Sequence, residues 1–394
     1  MAEHPAVNAA GRLKRILCLD DFELAARGHL PRPVFEYVAG GVEDNAAREG
    51  NRAAFREWHL VPKVLAGVKE RSTAITLFGR EYAAPFGVAP IGISALYAYR
   101  GDLVLAAGAR EANLPMAMSG SSLIRLEDVV ASSPEVWFQA YLPGDPQKML
   151  ALLERVKQAA FATLVITVDV PVAGNRENNM RAGFSTPLKP TLRLAWDGMT
   201  HPRWLLGTFL QTIVRHGMPH FENNFATRGA PIFSANVMRE FSDRGNLNWD
   251  HLAMIRDFWQ GRLIVKGILH AEDARKACRM GVDGISVSNH GGRQLDGAIA
   301  PLRVLPEIVA ACGKVPVMLD AGIRRGTDVI KALALGAKCV FLGRSFGFAA
   351  AVGGLDGVRH AIRILQVEID RDMAMLGINS LSELGPDTLR RVGN

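Results

Sequence analysis

Cysteine is scarce in this chain, and its arrangement excludes two classes at once. The four cysteines, Cys18, Cys278, Cys312 and Cys339, lie far apart. They show neither the paired pattern of a secreted disulfide scaffold nor the close spacing of a metal-ligand cluster. A reducing compartment and no bound metal are expected. Acidic residues are outnumbered, 39 Asp and Glu against 46 Lys and Arg, for a formal charge of +7. Such a balance suits nucleic acid, an anionic membrane surface or acidic substrates. The basic residues are scattered and form no nucleic-acid module such as a zinc finger or basic zipper, so no nucleic-acid partner is expected. Long apolar runs are missing too: nothing approaches the ~18 residues that span a bilayer, and the opening MAEHPAVNAAGRLKR has no apolar core for a secretory signal. The reading is of a cytoplasmic protein with a flexible start over residues 1–15 and one folded body over residues 16–394.

What is present is a repeated grammar. From residue 85 onward, short β-branched or apolar runs are each followed by Gly, Pro or polar loop residues and then an amphipathic helical pattern. Eight such runs occur, at residues 85–92, 115–120, 136–142, 163–170, 263–269, 284–290, 315–322 and 339–345. Eight strand-then-helix units predict an α/β fold, a single (β/α)8 TIM barrel with its active site at the C-terminal strand ends. Helical patterns at 19–25 and 33–38 precede the barrel. Roughly ninety residues separate the fourth run from the fifth, far more than an ordinary connection, which predicts a long insertion after strand 4 at about 185–235. Its stretch 191–220 mixes Trp, Leu, Phe and Ile with Arg and His but holds one acidic residue. That composition suits a membrane-interface contact, and equally a lid packed on the barrel or buried between subunits.

The chemistry concentrates where strands end. After the sixth run comes Ser288-Asn289-His290-Gly291-Gly292-Arg293. A histidine exchanges protons near neutral pH, paired glycines let backbone pass close to a planar ligand, and Arg293 can grip a carboxylate with two hydrogen bonds. Together they read as a base and an anion clamp. At the ends of the last two strands, Asp320, Gly322 and Arg324, then Gly343 and Arg344, have the composition of a phosphate site in a barrel. Ser119, Gln139 and Thr167 offer hydrogen bonds at other strand ends, and Gly92 permits close backbone approach. Lys266 is an isolated charge in an apolar strand, and a buried ammonium needs an anion.

The string SNHGGRQLDG at 288–297, with DAGIRRGTDVIKALALGA from Asp320 onward, closely resembles the FMN-dependent 2-hydroxy acid oxidising family, whose members include glycolate oxidases and L-lactate and mandelate dehydrogenases. The resemblance runs from about Leu19 to about Leu384. It implies FMN as cofactor and oxidation of an L-2-hydroxy acid to the 2-keto acid, with His290 as base, Asp169 orienting it and Tyr141 bonding the substrate hydroxyl. It implies Tyr37, Arg176 and Arg293 around the substrate carboxylate, and Lys266 beside the flavin ring. Ala89, Pro90, Ile91, Ser119, Gln139, Thr167 and Ser288 would line the flavin. Asp320, Gly322, Arg324, Gly343 and Arg344 would hold its ribityl phosphate. Ile91 stands where family members often carry Thr, so a backbone contact is expected there.

The element His201-Pro202-Arg203-Trp204 resembles the bacterial mandelate and lactate dehydrogenases, which use this region for membrane association. The resemblance therefore implies peripheral contact with the cytoplasmic face of the inner membrane, and a homotetramer. Ser121 aligns where glycolate oxidases carry Trp, which predicts a roomier pocket for mandelate-like or lactate-like acids. No haem-binding domain precedes the barrel, so electrons are expected to pass to a quinone, a separate carrier or O2. An oxidase making hydrogen peroxide, and more remotely a non-catalytic FMN or phosphate-binding barrel, are the alternatives.

Overall fold

In the computed structural model, residues 11, 13–185, 188–189, 191–234 and 244–392 are described. Most of the expected flexible start at 1–15, and a small part of the 185–235 insertion, lie outside them. Eight parallel strands form the barrel: β1 Phe86–Val88, β2 Ala117–Ser119, β3 Trp137–Ala140, β4 Thr163–Thr167, β5 Arg262–Ile268, β6 Gly284–Val287, β7 Val317–Asp320 and β8 Cys339–Leu342. From β2 onward each pairs with the next, β8 pairs back with β1, and an isolated parallel bridge from Val88 to Met116 closes the ring between β1 and β2. The strands are buried on both faces, as β4 (TLVIT) shows with every residue buried, because helices cover the outside of a parallel barrel.

Every predicted run meets a strand, but the strands stop short of the predicted ends. The run at 284–290 ends its ladder at Val287, and the run at 339–345 ends at Leu342. Beyond those points the backbone leaves the sheet to aim side chains over the barrel mouth. His290 adopts φ 56° and is followed by Gly291 at 67° and Gly292 at 71°, a left-handed coil that no strand accommodates.

The barrel interior is packed by Ala117, Trp137, Val165, Ile264, Met318 and Phe341, which leaves no pore. A hairpin of Ile75–Leu77 and Arg80–Tyr82 adds Leu77 and Tyr82 to that cluster. Its two-residue turn, Phe78-Gly79, has φ 53° and 77°, the left-handed pair that suits the twist of a tight hairpin.

Ahead of the barrel lie the helices α1 Leu19–Arg27, α2 Arg32–Ala39 and α3 Ala46–Arg56. Cys18 is the N-cap of α1, and the Asp21 carboxylate reaches back to accept from the Leu17 and Cys18 amides at 2.7 and 3.1 Å. Helix α1 packs on the long C-terminal helix Arg344–Leu376, which is interrupted at Gly354 (φ 54°).

The insertion between β4 and β5 carries helices Glu177–Ala182, Leu192–Met199 and Gln211–His216 and a π-helical stretch Leu205–Leu210. Trp204 anchors it: the indole is buried, donates to the Leu96 carbonyl at 2.8 Å and stacks on Phe209. Asn223 holds the return, accepting from the Leu126 amide and donating to the Ile124 carbonyl. The opposite face is apolar and exposed, with Leu192, Trp196 and Met199 on one helix and Leu206, Leu210 and Val214 spaced four apart on the next. Among the described residues no helix is long and apolar enough to cross a membrane.

Candidate active site

The end of β4 delivers Asp169, the loop after β6 delivers His290 and the end of β3 delivers Tyr141. His290 Nδ1 lies 3.0 Å from Asp169 Oδ1, and Tyr141 Oη lies 3.3 Å from His290 Nε2. Burial would raise the Asp169 carboxyl, but His290 and Lys266 outweigh it and hold its pKa below the usual range. Asp169 is therefore an acceptor, which places the ring proton on Nδ1 and leaves the Nε2 lone pair facing Tyr141. Burial pulls the His290 pKa below its ordinary value of 6.5, and Asp169 only partly opposes it. The imidazole is neutral at pH 7 and ready to accept a proton at Nε2. A bulge in β5 makes room for this pair: Gly267 has φ 109°, and a Cβ there would meet the Asp169 side chain at 2.7 Å.

Four arginines converge around the same mouth. Arg293 lies over the Tyr37 ring at 5.1 Å and donates to the Gly40 carbonyl at 2.8 Å. Arg176 donates to the Arg293 carbonyl and to Gln294 Oε1. Arg344 donates to the carbonyls of Val38, Gly40 and Gly291. Arg324 donates to the Ile323 carbonyl and pairs with Asp20 at 3.3 Å. Burial first, then mutual repulsion with Arg293, Arg324 and Arg48, pushes the Arg344 pKa well below its usual value. Such a cluster is electrostatically unfavourable unless an anion joins it.

Lys266 has a partner that its sequence context did not reveal. Its ammonium pairs with Asp320 Oδ2 at 2.7 Å and donates to Ser288 Oγ at 3.0 Å. Ser288 in turn donates to Asp320 Oδ2 and accepts from the His290 amide. Burial opposes the charge on Lys266, but Asp320 and Asp169 outweigh it and raise its pKa.

The glycines also make room within the protein itself. A Cβ on Gly292 would meet the Arg48 backbone at 2.5 Å, and one on Gly291 would meet Arg344 at 2.9 Å. The motif thus lets backbone approach α3 and Arg344. Gly92 likewise approaches Ser121 and the Tyr37 hydroxyl, each 3.2 Å from where its Cβ would stand. Gly322, at φ 83°, turns against the Asn51 carbonyl, 2.5 Å from where its Cβ would be.

Sequence reasoning missed several groups. Asn51 and Asn289 exchange hydrogen bonds at 2.7 and 2.8 Å. Asp296 accepts from the amides of Asp44, Ala46 and Ala47, which fixes the loop at the start of α3. Phe184 of the insertion packs on Tyr37 at 4.8 Å. Arg244 lies over the Tyr141 ring at 4.4 Å. Only Asp296 and Asn289 stood inside a quoted motif; the others carry no local signal. Among the described residues no His, Cys, Asp or Glu cluster could hold a metal. A separate surface groove, lined by Arg15, Leu24, His29, His201 and Arg203, lies away from these groups.

The strand ends fit a flavin mononucleotide. Gln139 Nε2 and Thr167 Oγ1 are buried with no hydrogen-bond partner, which a native interior tolerates only where a further group is to be met. They share the mouth with the Ser119 hydroxyl, bonded to Gln139 Oε1. The backbone of Ala89 bonds across to Leu342, and Ile91 lies close to Gly343. A small cavity lined by Pro90, Trp137, Lys266, Met318, Asp320 and Phe341 opens there.

Fold and site together define an α/β barrel whose strand ends are suited to a phosphorylated cofactor. Residues 26–391 match the FMN-dependent dehydrogenase family model, and the chain belongs to that family, so FMN is its cofactor. It is 36% identical to (S)-mandelate dehydrogenase of Pseudomonas putida over 95% of this chain and 94% of that protein. It is 38% identical to L-lactate dehydrogenase of Xanthomonas campestris over 96% and 97% of the two chains. The crystal structure of the monotopic membrane protein (S)-mandelate dehydrogenase superposes with a TM-score of 0.86 at 34% identity, covering 95% of this chain and 99% of that one. A mandelate oxidase superposes with a TM-score of 0.78 at 33% identity over 95% and 98%.

Proposed function

We propose that this enzyme oxidises an L-2-hydroxy acid of the mandelate or lactate type to its 2-keto acid. The observation that carries this reading is the line Asp169–His290–Tyr141, with neutral Nε2 at its centre, set beside the guanidinium groups of Arg293 and Arg176. Arg293, Arg176 and Tyr37 bind the substrate carboxylate, which fixes the rest of the molecule over the barrel mouth. The substrate hydroxyl then lies between Tyr141 and His290. His290 Nε2 takes the proton, and Asp169 stabilises the imidazolium. Bound FMN would supply the acceptor for the two electrons and the hydrogen that leave the substrate carbon. Lys266, Ser119, Gln139, Thr167 and Ser288 and the backbone at Ala89, Pro90 and Ile91 would hold its ring. Asp320, Gly322, Arg324, Gly343 and Arg344 would hold its ribityl phosphate chain. Ser121 leaves the substrate side chain room.

Anaerobic addition of glycolate, L-lactate and S-mandelate in turn tests this. Mandelate or lactate is expected to bleach the flavin absorbance and glycolate to act poorly; a flavin left unbleached by all three would overturn the reading.

The exposed apolar face of the insertion, ringed by the exposed Arg193, Arg203 and Arg215, supports peripheral attachment to an anionic bilayer and hence delivery of electrons to a membrane quinone. Replacing Trp196 and Leu206 together by Asp is expected to weaken binding to anionic lipid vesicles by at least about tenfold, since each apolar side chain contributes ~1.5–3 kcal/mol on burial. Turnover with a soluble dye should be unchanged. Undiminished co-sedimentation with vesicles would remove the membrane role. The similarity to mandelate oxidase supports a second reading, in which O2 is the oxidant. Stoichiometric peroxide on readmission of air would favour it.

A further inference from the structure

Arg244 is the first residue of the 3-10 turn Arg244–Asn246, where the insertion returns to the barrel. It is 9% exposed, and its guanidinium carbon stands 4.4 Å from the Tyr141 ring centroid. Arg244 lays its charge against an aromatic face, as Arg293 does against Tyr37. A stacked cation of this kind restrains ring orientation as well as adding attraction. Tyr141 needs such restraint, because its hydroxyl stands 3.3 Å from His290 Nε2 and a small swing of the ring would break that line.

We propose that Arg244 is a positioning residue for the reaction: it holds Tyr141 by the ring face so that the phenol hydroxyl stays aligned with His290 and the substrate hydroxyl. As the hydroxyl proton passes to His290, negative charge builds on the substrate oxygen, and a cation behind the phenol makes Tyr141 a stronger donor to it. Electrostatics supports the placement. Burial pulls the Arg244 pKa down to about 10, which leaves it a cation at neutral pH. Burial raises the Tyr141 pKa, with Arg244 and Lys266 opposing. No motif in the sequence marks Arg244, and only the fold brings it to Tyr141 across more than a hundred residues of chain. The proposal rests on the reading that Tyr141 contacts the substrate hydroxyl.

The test is a double-mutant cycle on the FMN-loaded full chain, using whichever hydroxy acid bleaches the flavin. Arg244→Met keeps the apolar stem and removes the charge; it is expected to lower kcat about tenfold, within the range of a desolvated cation–π contact, with KM changed by less than about threefold. Arg244→Lys should recover part of the loss. In the Tyr141→Phe background, where no hydroxyl is left to align, Arg244→Met should cost less than about twofold. Should Arg244→Met fail to retain FMN, Arg244→Gln carries the same comparison. A full tenfold loss that persists in the Tyr141→Phe background, or an unchanged kcat in the Tyr141-bearing enzyme, would overturn the proposal. If instead Tyr141→Phe alone leaves kcat unchanged, the assignment of Tyr141 falls, and this inference falls with it.

Discussion

His290→Asn is expected to slow anaerobic bleaching of the flavin by about 10²–10⁴-fold, the contribution of a positioned base, while leaving FMN bound. Asparagine is the informative replacement for two reasons. It tolerates the left-handed conformation that position 290 adopts (φ 56°), so the coil that carries Gly291 and Gly292 to α3 and Arg344 survives. It can also still bond Asp169. What it loses is a basic nitrogen at the place of Nε2. An undiminished bleaching rate would remove His290 as the base.

The pH dependence follows from the same geometry. His290 works when neutral, and burial depresses its pKa, so the acid limb of kcat/KM should fall below pH 6.5, with activity level through neutrality. Asp169 raises the pKa of His290. Removing that charge with Asp169→Asn should therefore move the limb to lower pH while lowering the rate. A limb that moved upward would contradict the assignment.

The second large effect concerns stability. Lys266→Met leaves the Asp320 carboxylate buried without the ammonium 2.7 Å away, and breaking one side of a buried pair costs roughly 3–5 kcal/mol. Denaturant unfolding should show the loss with and without added FMN, because the pair belongs to the barrel itself. The sign with pH is fixed by the raised pKa of Lys266. Its stabilisation is present throughout the range below the ordinary lysine pKa and disappears only as strongly alkaline pH deprotonates the folded form. Replacing both Lys266 and Asp320 with apolar residues should restore most of the loss. A single variant as stable as the parent would mean the pair contributes nothing.

The chain itself announced the barrel, because buried parallel strands must be continuous apolar runs and each must be followed by a helix. It also marked His290 and the strand-end arginines, since residues that directly follow the strands lie at the barrel mouth, whereas Asp169 was marked by the family resemblance. The insertion was legible as an excess of chain between two runs, but its apolar composition suited a membrane contact and a packed lid equally, and only the fold shows Trp196 and Leu206 exposed. The tertiary structure alone decided which groups meet. Lys266 and Asp320 lie on β5 and β7, with β6 and its Ser288 between them, so their pairing depends on strand order and register. The glycines after His290 were legible as a place of close approach, but that α3 and Arg344 are what approach them is encoded in no local pattern. Arg244 reaches Tyr141 only because the insertion folds back across the mouth. Local sequence fixes backbone preference and burial period; a contact between distant side chains is set by how the closed barrel brings strand ends together.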